Sequence, residues 1–217
     1  MISRQTVKRS ILFLLGLFFI ALGIAFTKYS QLGVSPISSV ANILSIKFTS
    51  VSFGTWSFII NCVFVLFEIL ILGKKFPPVQ LLQIPLSLVS GVFIDIGLLI
   101  ASLLPVNTYA LQLVSLFIGI VVLGFGITLS IIANVILYPG EALVKVLSDK
   151  LGKNFGSLKI VFDTSCVTLS IILSVLMFSG QIFGTREGTL ISMILNGASV
   201  KFFSALISKP LTRFMNK

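Results

Sequence analysis

The chain is 217 residues long, 56% hydrophobic and only 10% charged, with a mean hydropathy of +1.13; it is too apolar for a soluble domain and reads as an integral membrane protein. Its net charge of +10 does not point to nucleic acid, because lysine and arginine are dispersed between apolar runs and form no basic helix or aromatic-interleaved patch. Histidine is absent, which excludes Ser-His-Asp and Cys-His nucleophilic sites and any histidine-containing metal centre; an enzyme is not expected, nor a cofactor or a metal.

In chain order, a basic segment with Arg4, Lys8 and Arg9 precedes a first apolar run at 11–32. It has the form of a signal peptide but no small-residue cleavage site, so an uncleaved first span is expected. Further apolar runs lie at 54–72, 81–104, 110–132, 157–178 and 189–207, each near the roughly 20 residues that cross a hydrocarbon core. The expectation is an all-α bundle of six transmembrane helices forming one membrane domain over 1–217. Two segments, 36–48 and 139–151, are too short to cross, and each opens with a proline. Cys62 and Cys166 fall inside apolar runs and read as small hydrophobes rather than as a disulfide.

The chain repeats itself. Gly16, Gly23 and Pro36 recur about 103 positions later as Gly119, Gly126 and Pro139; with a one-residue shift Phe53-Gly54 then corresponds to Phe155-Gly156 and Asn61 to Asp163. Repeat one covers 11–104 and repeat two 110–208. Each holds three spans, an odd number, so the second copy enters from the opposite face. Such inverted repeats are a common plan of secondary transporters, with the site where the halves meet. Lysine and arginine concentrate on the side of the N-terminus, with Lys28, Lys47 and Arg186 opposite, which predicts both termini cytoplasmic. The glycines, seven apart, suit close helix packing.

Ser35-Pro36 is an N-cap followed by proline at the first helical position, and Pro139 opens the matching segment with Glu141 in its first turn. Two placements remain open. Re-entrant inserts would aim their N-terminal amides and dipoles at the bilayer middle and create an anion- or dipole-binding centre. Interfacial helices would lie flat, and 139–151 has the pattern for it, with Ala142, Leu143, Val146 and Leu147 on one face and Glu141, Lys145 and Asp149 on another. Asp95, Asp163 and Lys201 are ionisable residues inside spans, where charges usually face the bundle interior.

Asp95 and Lys201 fall in equivalent helices and are expected to be coupled. Asn61 and Asp163 are expected to approach at the axis between the repeats, unless Lys159, one turn earlier, neutralises Asp163. Glu68 is expected to snorkel to the cytoplasmic surface. Thr189 is a candidate cap of the last span, with Arg186 and Glu187 pairing locally. The residues expected to line a solute site are Ser35, Pro36, Asn61, Asp95, Tyr138, Pro139, Gly140, Glu141, Asp163 and Lys201.

The succession of a glycine-rich first span, Leu32-Gly33-Val34-Ser35-Pro36, Ser52-Phe53-Gly54, Tyr138-Pro139-Gly140-Glu141, Asn154-Phe155-Gly156 and Gly184-Thr185-Arg186-Glu187-Gly188-Thr189 resembles the YczE/YyaS/YitT family of bacterial membrane proteins. The resemblance implies a polytopic protein of the cytoplasmic membrane with a role in transport, and it lends no catalytic residue. Three functions stay open: a secondary, alternating-access transporter for a small polar or anionic solute, a passive solute channel with inverted repeats, or a membrane scaffold for another protein. The lipid bilayer, a coupling proton or ion and a second copy in a homo-oligomer are compatible partners. Nothing in the sequence names the solute.

Overall fold

In the computed structural model, which describes residues 4–215, the chain consists of helices, turns and loops, with no strand among the described residues. Helix α1 covers Arg4–Tyr29. A 3-10 turn at Pro36–Ser38 leads into the short α2 at Ser39–Lys47. Then come α3 (Phe53–Leu72), α4 (Gln83–Ala101), α5 (Tyr109–Ala133), the 13-residue α6 (Pro139–Leu151), α7 (Phe155–Met177) and α8 (Glu187–Met215). Six of these, α1, α3, α4, α5, α7 and α8, are long and apolar enough to cross a membrane.

Local chemistry sets the ends. Ser52 caps α3 by accepting from the Thr55 amide at 3.0 Å, Thr108 caps α5 by accepting from Leu111 at 3.3 Å, and Asn154 caps α7 by accepting from Gly156 at 2.8 Å, each satisfying an amide that the helix leaves free. At the other ends, Asn134 after α5 and Gly152 after α6 turn left-handed, at φ 48° and 61°, in the usual C-terminal manner. The expected cap of the last span is corrected. Helix α8 begins two residues before Thr189, and the buried Thr189 hydroxyl instead accepts from the Val34 amide at 3.3 Å, while the Gly188 amide donates to the Leu32 carbonyl at 2.8 Å. The loop after α1 is thereby stitched to the first turn of α8. Arg186 and Glu187 do pair locally, at 3.0 Å.

The centre of the bundle is the crossing of α1 and α5. A Cβ on Gly16 would stand 3.0 Å from the Gly126 carbonyl, and one on Gly126 2.8 Å from the Gly16 carbonyl; a Cβ on Gly23 would meet Leu123 N at 2.5 Å, and one on Gly119 the Gly23 carbonyl at 2.9 Å. Gly16 thus faces Gly126 and Gly23 faces Gly119, so the helices run antiparallel with their backbones in contact. Small residues are what permit that approach. Helix α4 packs on α1 and α8 on α5, while α2 and α6 each lie against both α3 and α7.

Candidate functional site

The two inserts meet end to end. Pro36, Pro139 and Gly140 are buried, and a Cβ on Gly140 would stand 2.9 Å from Ile37 Cδ1. Inserts lying flat and far apart on opposite surfaces do not describe this arrangement. The amphipathic pattern holds for the remainder of α6, where Lys145 and Asp149 are exposed and paired at 2.7 Å while Ala142, Leu143 and Val146 are buried. Both helix starts bring unpaired amides and the positive ends of their dipoles to one place. Ser35 occupies the capping position, but its hydroxyl pairs with that of Ser38 at 3.1 Å rather than with an amide. Ser39 bonds the Cys166 carbonyl at 3.1 Å and ties α2 to α7.

Tyr138 precedes a proline and is therefore biased to extended backbone; its ψ of 144° carries the side chain across to α3 and α4. There its hydroxyl accepts from Asn61 Nδ2 at 2.8 Å and lies 3.1 Å from Ser90 Oγ. On the other side, Glu141 stands in the first turn of α6 with Oε2 buried and unpartnered. Burial pushes its carboxyl above the usual carboxylate range, against the pull of Lys159 and with a further push from Asp163. Lys159 and Asp163 form the ion pair one turn apart that was the local alternative. Asn61 and Asp163 therefore flank the junction, each committed to its own partner. Lys159 serves two carboxylates, and the junction brings hydroxyl, amide, ammonium and carboxylate groups together.

Asp95 and Lys201 lie elsewhere, and the expected coupling between them is corrected. The Asp95 carboxylate accepts from Ser52 Oγ at 2.6 Å and from the Gly54 amide at 2.8 Å, bracing the start of α3. The backbones touch at the same level, since a Cβ on Gly91 would stand 2.7 Å from the Gly54 carbonyl. Lys201 is exposed on α8 and forms no ion pair with Asp95 among the described residues. Asp95 instead acts electrostatically on Lys28. Glu68 does not snorkel either. It is fully buried, and its Oε2 accepts from Gln83 Nε2 at 3.1 Å, because α4 covers this face of α3 and brings its own polar side chain.

A second polar feature lies at the end of the bundle where α1 finishes. A cavity of about 350 Å³ is lined by Lys28, Tyr29, Gln31, Asn42, Leu98 and Gly184 among others. The Lys28 ammonium donates to Asn42 Oδ1 and, at 2.9 Å, to Ser45 Oγ, and lies 4.4 Å from the centre of the Phe53 ring. With no carboxylate in ion-pair contact among the described residues, it is a cation available to an anion entering the cavity. Sequence reasoning used Lys28 only as a marker of topology and missed Ser90. The available signal was a lysine within the first apolar run and a Ser90-Gly91 step on the face of α4 that also carries Gln83 and Ser87.

Two proteins of Bacillus subtilis (strain 168) are similar along nearly their whole length. One, described as the uncharacterized protein YyaS, is 25% identical over 196 residues, covering 90% of this chain and 92% of its own. The other, described as the uncharacterized membrane protein YczE, is 27% identical over 202 residues, covering 92% and 87%. No solved structure matches. The description of the second agrees with the six apolar helices of a membrane protein, and with residues 7–205 matching its model, the chain belongs to DUF6198, a family of unknown function.

Proposed function

We propose that the protein is a secondary transporter working by alternating access on a small polar or anionic solute, with its site where α2 and α6 meet. One observation carries the reading: the extensive helix contacts come in corresponding pairs with one marked exception, besides a slight α1–α8 contact that α5–α4 does not match among the described residues. The pair α1–α4 corresponds to α5–α8, α2–α3 to α6–α7, and α3–α6 to α7–α2, while α3–α4 is a close contact that α7–α8 does not match among the described residues. Two related halves in unlike arrangements are what a transporter needs if exchanging those arrangements is to move the opening from one face to the other. The reciprocal Gly16–Gly126 and Gly23–Gly119 contacts support an inverted repeat about the α1–α5 crossing. The converging helix starts and the Lys28 cavity favour a solute with negative or dipolar groups.

With both termini on the cytoplasmic side of a bacterial inner membrane, the closed α3–α4 seam at Asp95 faces outward and the parted α7–α8 seam faces inward. An impermeant thiol reagent applied outside should then label Asn107→Cys and spare Lys75→Cys; the reverse pattern inverts the topology. The transport reading is tested in proteoliposomes with a panel of labelled small organic acids. Saturable uptake that is accelerated by solute on the opposite side is expected. Linear, unsaturable flux without that acceleration would make the protein a passive channel, which half-helices meeting at their starts would also serve.

A further inference from the structure

The α3–α4 seam holds a group of side chains that the solute site does not use. Glu68, on the face of α3 two turns beyond Asn61, is fully buried, and Gln83 and Ser87 of α4 are each 1% exposed. Their one mutual bond is from Gln83 Nε2 to Glu68 Oε2. The other three oxygens, Glu68 Oε1, Gln83 Oε1 and Ser87 Oγ, are buried without a partner. Buried polar atoms are almost always satisfied, so three orphans in one seam call for a missing partner, and the Glu68 carboxylate among them calls for a positive one.

Among the described residues, no ion pair supplies that charge. From Pro78 to Ala101 the only charged residue is Asp95, three turns from Gln83 and engaged with Ser52 and Gly54. On α6, which packs on α3, Lys145 is paired with Asp149, Lys150 donates to the Ile71 carbonyl at 3.2 Å, and Glu141 faces Lys159. On α2, Lys47 donates to the Met177 carbonyl. Lys74 and Lys75 follow α3 in an exposed turn, and Arg9 lies in the first turns of α1, which packs on α4. No ion pair joins any of the described cations to Glu68.

We propose that Glu68, Gln83 and Ser87 form a site for one monovalent cation, taken from water as a proton on the carboxylate or as a sodium ion among the three oxygens. One carboxylate balances one charge, and a divalent ion, which draws on several carboxylates, finds no such cluster among the described residues. An uncompensated carboxylate would resist closure of α4 on α3, whereas a neutralised one permits it. The cation is therefore taken up as the seam closes and returned to water as it opens, and the site becomes the coupling site of the transporter. This last step rests on the alternating-access reading; binding itself does not.

The test is made on the purified full chain in nanodiscs without solute. Thermal stability is followed against sodium at constant ionic strength with choline as the counter-salt, and proton uptake is measured on stepping the pH in choline alone. A sodium-dependent rise in melting temperature, or one bound proton, is expected in the wild type and lost in Glu68→Gln, while Glu187→Gln on the exposed Arg186 pair retains it. Sodium dependence assigns the site to sodium and proton uptake assigns it to the proton. Should Glu68→Gln fail to fold, Ser87→Ala gives the second reading, because loss of one oxygen weakens sodium binding several-fold. A wild type indifferent to sodium that binds the same number of protons as Glu68→Gln, or sodium dependence unchanged in Ser87→Ala and Glu68→Gln, overturns the proposal. Failure of trans-accelerated uptake alone breaks the transport reading and leaves the cation site standing.

Discussion

Helix α4 closes the first half and α8 the second, yet they are held differently. Helix α4 is buried along its whole length, at Gln83, Ser87, Ser90, Gly91, Ile94, Gly97 and Ala101, whereas among the described residues α8 is buried only at Gly188, Thr189 and Ser192 in its first turns. The cause is contact rather than composition. Gly54 and Gly91 interlock and Asp95 braces the start of α3, while a Cβ on Gly156 would meet only Asn154 and one on Gly197 would meet nothing within 4 Å. Helix α8 also carries Ser192, Asn196 and Ser199 with buried, unpartnered oxygens. A helix stitched to Leu32 and Val34 at its start, resting on α5 through Ser199 against Gly124 and Phe203 against Phe125, and without close packing on α7 among the described residues has the anchorage of a moving arm; α4, packed on both α1 and α3, has that of a locked one.

The largest expected effect comes from jamming the locked seam. In Gly91→Val the new side chain meets the Gly54 backbone and has no flexible neighbour to displace, so a loss of about 1–3 kcal/mol is expected from overpacking. Gly197→Val, with open space around it, should melt within experimental error of the wild type. Equal losses in both would mean that the two seams are equally packed in the membrane.

A smaller effect tests the brace. Asp95→Asn keeps the shape but removes the charge that receives Ser52 and Gly54, and should cost about 1–2 kcal/mol, in the range of a lost helix cap. Lys201→Met should leave stability unchanged, and the double variant should equal the sum of the singles, as for uncoupled sites. A double variant more stable than Asp95→Asn would restore the coupling that the structure removes.

The smallest effect concerns pH. Because the Glu141 carboxyl is raised by burial, the folded state holds its proton where the unfolded chain has released it. Its contribution is fully present below the ordinary carboxylate range and is lost progressively as pH rises toward the folded value. Melting curves of Glu141→Gln across mildly acidic pH should therefore decline less steeply than those of the wild type, and identical slopes would remove Glu141 from the buried cluster.

The bundle was legible because the bilayer fixes helix length and because glycines seven apart have few uses other than close packing; Gly16 and Gly126 meet as their spacing implies. Lys159 and Asp163 were legible as neighbours for the same local reason, being one turn apart. Asp95, Glu68 and Lys28 were not. Each is decided by which helix covers it: α3 presents its start to Asp95, α4 covers Glu68, and α2 brings Asn42 and Ser45 to Lys28. Aligning the repeats set Asp95 against Lys201 because it assumes both halves are packed alike, and the unequal packing of α4 and α8 breaks that assumption.

The most direct test of the account is therefore a distance across the second seam. Spin labels at Ser157→Cys and Ala198→Cys, both exposed on α7 and α8, are measured by double electron–electron resonance in lipid, beside a reference pair across α3 and α4. Alternating access predicts two populations between α7 and α8, one long as in this arrangement and one as short as the reference pair. A single long distance that persists in every lipid, salt and pH condition would contradict it.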